Sequence, residues 1–339
     1  MKNESGAKNL MLTRFGAETL AKETPLNEYP RPQLKRDSYL CLNGKWRCSI
    51  TNAANGSKYD GDILVPFSPE TLLSGVLKTV EPNDTLTYQR ELFIPEGFLN
   101  DITLLHFGAV DYDCSVKLNG KPVGAHKGGF LAFSLDITDA VKAGANVLSV
   151  TVKDPSDTGV QARGKQKLQN GGIWYTPQSG IWQTVWIESV PTDYVRGLTL
   201  TPNIDTGTLT VNAEFGDAAH IDAYDDGKLI ASAVLKNGVA ELNLPKFECW
   251  SPECPKLYDL KITAGKDVVY SYFAMRKFSV DVDFSGVKRL FLNNKPYFHK
   301  GVLDQGYWSD GLLTPPSDEA MIYDVTLMKQ LGFNMLRKH

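Results

Sequence analysis

Histidine and cysteine are scarce, with five of each in 339 residues. The cysteines stand at 41, 48, 114, 249 and 254, an odd number without paired spacing. Cys249 and Cys254 flank Trp250-Ser251-Pro252-Glu253, but a metal there needs two more soft ligands, and His220 is the nearest histidine. No metal site is therefore expected. No apolar run approaches the ~20 residues that cross a bilayer. Nor does the apolar core of a secretory leader follow Met1-Lys2-Asn3-Glu4-Ser5-Gly6. The thiols are thus expected to be reduced and the protein cytoplasmic. Positive charge is not in excess either. The formal net charge of −3 argues against nucleic acid or an anionic membrane as partner. A Gly-x-Ser-x-Gly elbow and a glycine-rich phosphate loop before a helix are both absent.

What is present is an ordinary globular composition, 42% apolar and 22% charged. At about 100–200 residues per domain, the length suits two or three domains. Residues 1–38 read as an extended arm, disordered at its first few residues. Pro25, Pro30 and Pro32 oppose a helix there. From 39 to 191 strand follows strand. Tyr88–Ile94, Ile102–Phe107, Cys114–Leu118, Leu131–Ile137 and Val147–Lys153 alternate with period two. Asn43-Gly44, Asn119-Gly120, Gly128-Gly129 and Gly144-Ala145 supply the turns. The length favours a jelly roll over an immunoglobulin domain. Residues 192–283 hold about seven short strands, with Asp226-Gly227 and Asn237-Gly238 as hairpin turns, and suit an immunoglobulin-like sandwich.

The pattern changes at 284. A hairpin around Asn293-Asn294 leads into the apolar run Phe298–Leu303, which ends in Asp304. A Gly/Pro-rich loop follows. Ser317 then caps a helix with Asp318 and Glu319 in its first turn and Gly332 as its stop. Phe333–Arg337 reads as a second strand. That is one β-α-β unit. Only 56 residues span 284–339, whereas a (β/α)8 barrel takes about 250. The expectation is a mainly β fragment of a longer protein: jelly roll, immunoglobulin-like sandwich, then the first unit of a truncated barrel.

Several stretches carry a family resemblance. They are Leu42-Asn43-Gly44-Lys45-Trp46, Val65-Pro66-Phe67-Ser68-Pro69-Glu70 and Leu86-Thr87-Tyr88-Gln89-Arg90. His106–Tyr112 followed by Leu118-Asn119-Gly120-Lys121, the run Ser179–Trp186, and Asn334-x-Leu336-Arg337 complete the set. Together, in this order, they resemble glycoside hydrolase family 2, which holds β-galactosidases, β-glucuronidases and β-mannosidases. The resemblance implies a retaining exo-β-glycosidase acting on a carbohydrate β-glycoside, with oligomers common among members. Such enzymes use two carboxyl groups about 5–5.5 Å apart. In this family both are glutamates on later barrel strands, so no catalytic residue is assigned within 1–339. No cofactor is expected, although some galactosidases of the family use Mg2+ and Na+.

Binding residues are expected at the C-terminal ends of the barrel strands. Asp304 follows the first strand, either to accept sugar hydroxyls or to cap its own loop. Arg337 and His339 end the second. Arg337 suits a bidentate carboxylate contact or a structural ion pair. Asp157, in Asp154-Pro155-Ser156-Asp157, matches a galactosidase loop that reaches the sugar, or is a plain turn residue. Trp182 and Trp186 are expected in the core, and Trp174 and Tyr175 at a pocket rim. His106 and His126 are taken as structural. A rival reading is a non-catalytic carbohydrate-binding module. A surface adhesin is disfavoured by the β-α-β end.

Overall fold

The computed structural model describes residues 11–339, so the expected disorder of the first few residues lies outside the described part. The chain is mainly β. A six-stranded antiparallel sheet runs in the order Gly56–Val65, Gly44–Asn52, Asp84–Ile94, Gly144–Lys153, Asp113–Leu118, Lys121–Lys127. A four-stranded sheet, Tyr39–Cys41, Val185–Val190, Ile102–Phe107, Phe133–Asp136, faces it. Alternation builds the core between them. In Gly44–Asn52 the inward residues Trp46, Cys48 and Ile50 are buried, and in Asp113–Leu118 so are Cys114, Val116 and Leu118. Each large side chain removed from water contributes about 1.5–3 kcal/mol.

A second core lies between a three-stranded sheet (Leu198–Asn203, Thr208–Ala213, Val239–Asn243) and a four-stranded one (Lys228–Leu235, Ala219–Asp225, Tyr258–Ala264, Asp267–Phe273). Both central residues of the turns Asn119-Gly120, Asp226-Gly227, Asn237-Gly238 and Asn293-Asn294 have positive φ. That is the condition for a two-residue turn whose twist matches its strands. All five cysteines are free. No described helix is long and apolar enough to cross a membrane.

The arm departs from expectation. Helix Arg14–Leu20 interrupts it. The Thr13 hydroxyl accepts from Gly16 N at 2.9 Å and donates to Asp310 Oδ2 at 2.6 Å, while Thr13 N donates to the same oxygen at 2.8 Å. A seven-residue helix is marginal alone. Here a partner 297 residues away fixes its cap, which no local pattern reveals. The prolines do exclude an α-helix further on, leaving a single 3-10 turn, Pro32–Leu34.

Beyond the sandwiches, Phe278–Val282, Lys288–Leu292 and Lys295–Pro296 form a small sheet. Gly301–Asp304 and Met335–Lys338 then pair in parallel, with helix Asp318–Gln330 between them. The Ser317 hydroxyl caps that helix, accepting from Ala320 N at 3.2 Å. Among the described residues this parallel pair closes no barrel.

The arm, the first sandwich and the second meet at one buried group of charges. Arg36 is 3% exposed. It grips Asp267 with Nε at 2.8 Å and Nη2 at 2.9 Å, and Nη2 also donates to Val195 O at 2.7 Å. Its Nη1 stands 3.6 Å from Glu188, which also bonds Arg31. His106 presents Nε2 to Glu188 at 3.1 Å and Nδ1 to the Ser134 hydroxyl at 2.6 Å, and it stacks on Trp186. Burial first, then the charges of Arg31 and Arg36, lower its pKa from 6.5 to about 3. The ring is therefore neutral, and its Nε2 lies beside Glu188 without a hydrogen bond.

Two outcomes follow from this group. Arg36→Ala leaves Asp267 buried without its cation, and is expected to cost about 3–5 kcal/mol in urea unfolding. For His106, the unfolded chain takes up a proton near pH 6.5 that the folded chain refuses until about 3. This contribution is complete above pH 6.5 and is lost as pH falls through that window. Melting temperature between pH 6.5 and 4 is thus expected to fall more steeply in the native chain than in His106→Gln. Equal slopes would show that His106 protonates freely in the fold.

Candidate functional site

Asp304 and Lys338 are cross-strand partners at the C-terminal end of the parallel pair. The Lys338 ammonium donates to Asp304 Oδ2 at 2.6 Å, and Gly306 N donates to Oδ1 at 2.8 Å. His339 N donates to the Asp304 carbonyl at 2.9 Å. Partial burial alone would raise the Asp304 carboxyl, but Lys338 and the Gly306 amide outweigh it and lower its pKa. An anion with those partners is a hydrogen-bond acceptor, not a proton donor, at neutral pH. Asp304 therefore caps its own loop at the mouth formed by the ends of the two parallel strands.

The other expected site residues separate. Arg337 pairs with Leu303, one residue out of step with Asp304. Side chains alternate along a strand, so Arg337 points to the face opposite Lys338. It is exposed. His339 joins the mouth through its backbone. Asp157 Oδ2 accepts from Leu168 N at 3.3 Å, a bond within its own 154–178 loop.

That loop nevertheless reaches the mouth, through Tyr175, which the sequence suggested for a pocket rim, and Gln178, which it did not single out. Tyr175 donates its hydroxyl to Gln305 Oε1, and its ring packs on Tyr307 with centroids 4.8 Å apart. Tyr175 N bonds Lys165 O at 2.8 Å, and Lys167 N bonds Tyr175 O at 3.1 Å, which fixes the loop's own shape. The Lys167 ammonium lies 4.0 Å over the Trp174 ring. Gln178 makes the second stitch. Its Oε1 accepts from Leu313 N at 2.7 Å and its Nε2 donates to Ser68 Oγ at 3.0 Å. Thr314 Oγ1 donates to Trp182 O at 2.6 Å as the third. Gln305 and Tyr307 were findable only as near neighbours of Asp304. Lys338 was legible only once the strand register was known.

Trp182 and Trp186 are buried, at 9% and 2% exposure. Trp182 lies between the short strand Gly180–Ile181 and Val185–Val190, so one continuous strand does not carry both. Both edge a groove of about 450 Å3 whose walls include Tyr29, Arg31, Gln183 and Asp318. Aromatic faces beside polar ends suit a sugar ring. His106 belongs to the buried charge group, and His126 stacks on Phe133 at 4.1 Å.

Residues 51–191 match the family described as "Glycosyl hydrolases family 2, sugar binding domain". The β-glucuronidase of Rattus norvegicus is 25% identical over 285 residues, covering 74% of this chain and 43% of its own. A β-galactosidase of an Arthrobacter species is 26% identical over 345 residues, covering 98% of this chain and 30% of its own. The solved β-D-glucuronidase of Dictyoglomus thermophilum has the same fold over 90% of this chain and 55% of that one, with a TM-score of 0.70 at 23% identity. The chain spans less than half the length of the curated relatives it matches. Residues 51–191 thus match the sugar-binding domain of that family, and the chain is similar to its glycosidases in sequence and fold.

Proposed function

We propose that this chain is the N-terminal part of a retaining exo-β-glycosidase that hydrolyses O-glycosidic bonds of carbohydrate β-glycosides. The observation that carries the reading is the loop of the first sandwich docked through Tyr175 on Gln305 and Tyr307, beside Asp304. The first sandwich and a strand end thereby contribute to one mouth. In this reading the parallel pair opens a (β/α)8 barrel, and the two reacting glutamates stand on later strands outside residues 1–339. The strand ends themselves supply one carboxylate, Asp304, held anionic by Lys338. One anion cannot both attack the anomeric carbon and protonate the leaving oxygen.

The work of this part is binding. Asp304 accepts hydrogen bonds from sugar hydroxyls on its free lone pairs. His339 borders the same mouth, and Asp157 belongs to the loop that Tyr175 anchors there. Arg337 faces the other side of the pair, which suits orienting a neighbouring carboxylate rather than touching Lys338. The names of the relatives point to a glucuronide or a galactoside as the sugar.

A second reading, a non-catalytic carbohydrate-binding module, draws on the groove beside Trp182 and Trp186. Enzyme assays with aryl β-glucuronides and aryl β-galactosides separate the outcomes. Residues 1–339 are expected to give no turnover. Hydrolysis with a bell-shaped pH profile that persists through repurification would place two acids inside the chain and defeat the assignment.

The exposed apolar side chains of the last unit support the same reading. Ile322, Val325 and Leu331 are each more than half exposed on helix Asp318–Gln330 or its end. A stripe of this kind is normally covered. Residues 1–339 are therefore expected to self-associate, and a chain ending at 283 to scatter less light at equal concentration. Unchanged scattering would mean that the helix face is not what drives association.

A further inference from the structure

The arm crosses the first sandwich and leaves the groove of about 450 Å3 between itself and the loop that enters helix Asp318–Gln330. The groove shares none of Asp304, Gln305, Tyr307, Lys338 or Tyr175 with the mouth. All of its lining lies within the described residues, whereas the mouth is built around only two barrel strands.

Each wall is pinned by the protein itself. On the arm, Asn43 Nδ2 donates to Pro25 O and to Leu26 O, both at 3.0 Å, and the Tyr29 hydroxyl donates to Leu34 O at 3.0 Å. Leu26 is held there at φ +48°, which is uncommon for a residue with a side chain. On the opposite side, Trp182 Nε1 donates to Gly129 O at 2.8 Å, and Trp182 O accepts from Thr314 Oγ1 at 2.6 Å. A groove fixed in this way requires little ordering when it is filled.

Its lining is mixed. Pro30, Ala132, Leu313 and Pro315 give apolar surface around Trp182. The carboxylates of Glu28 and Asp318 and the amide of Gln183 also line it, and none of them bonds a described residue. Arg31 bonds Glu188 through Nη2 and leaves Nη1 unused among the described residues. Gln183 lies where only a glycine neighbour permits it. A Cβ on Gly108 would stand 2.7 Å from Gln183 Cβ and 2.9 Å from its Oε1. An apolar concavity of a few hundred Å3 with a few converging polar groups is the usual form of a small-molecule site.

The polar groups select the ligand. Glu28 and Asp318 disfavour an anion: burial first, then the charges of Glu28 and Glu319, already raise the Asp318 carboxyl. Arg31 disfavours a cation, with Arg36 close behind it. A neutral hydroxyl satisfies both sides, because it donates to carboxylates and accepts from guanidinium and amide. A pyranose carries several such hydroxyls around an apolar C–H face, which suits the surface around Trp182.

We propose that this groove is an accessory carbohydrate site, separate from the mouth, that takes a neutral pyranose ring through Glu28, Arg31, Gln183 and Asp318. The inference rests on the groove that the module reading uses, and it holds equally for a chain that belongs to an enzyme.

Residues 1–339, at a concentration where light scattering shows a single species, are titrated with lactose and with cellobiose by calorimetry and saturation-transfer NMR. The disaccharides of glucosamine and of galacturonic acid serve as charged counterparts of equal size. The expected result is one site for a neutral disaccharide, with both charged counterparts about tenfold weaker. Gln183→Ala and Asp318→Ala are each expected to weaken the neutral sugar about tenfold, the loss of one hydrogen-bonding partner. Asp304→Asn, at the mouth, is expected to leave it unchanged. Gln183 and Asp318 are partly exposed and outside both cores, so their variants are expected to melt as the native chain does. No binding of either neutral disaccharide to the native chain would overturn the proposal. Binding that survives both groove variants would also overturn it, keeping a carbohydrate-binding module but placing its site elsewhere. Loss in Asp304→Asn alone would put the sugar at the mouth. Preference for a charged disaccharide would overturn the neutral class.

Discussion

Arg36 holds together what alternation alone would leave as separate pieces. Each sandwich has its own apolar core, and hydrophobic burial is indifferent to direction. The guanidinium is not. Its fork grips Asp267 of the second sandwich, reaches Val195 O at the junction, and stands beside Glu188 of the first. The arm that supplies Arg36 also lends Leu34 to the second core. The fork thereby fixes the angle between the units. It also settles the state of His106, since two guanidinium groups beside a buried ring disfavour a third positive charge. A buried ion group of this kind adds little net stability compared with an apolar replacement. What it supplies is a single relative placement of the two sandwiches.

Most of the architecture was legible because two local signals agreed. Period-two alternation marked the strands. Ile102–Phe107 has its anticipated bounds. Positive-φ turn residues marked where strands double back. The misses share a cause. Gly56–Val65 is an edge strand whose outer half is largely exposed and polar, so it shows no alternation. Helix Arg14–Leu20 exists because Asp310 receives Thr13. Contacts across almost the whole chain leave no periodic trace in it.

The site was legible in part, and unevenly. Asp304 was visible as an acid at the end of an apolar run, and its geometry shows the loop cap considered for it, to Gly306, together with a pair to Lys338. Arg337 looked equivalent to it, but one residue of register sends it to the other face. Register is a property of the pair of strands, not of either segment. Tyr175 was visible only as an aromatic for a pocket rim, without its partner, and Gln178 not at all. Each lies in a long loop without regular structure, and what matters in each is a partner more than a hundred residues away.

Gln178 spans the junction with one planar amide. Its oxygen must face Leu313 N, because only an acceptor serves there, and its nitrogen then faces Ser68 Oγ. The group is a keyed joint: turned over, it would set donor against donor at Leu313. Tyr175 and Thr314 fasten the same seam, so the rim of the mouth is furnished by the jelly roll as much as by the strands beneath it. A first sandwich transplanted from one relative into another would carry that rim with it. The shape of that rim can accordingly be inherited with the module.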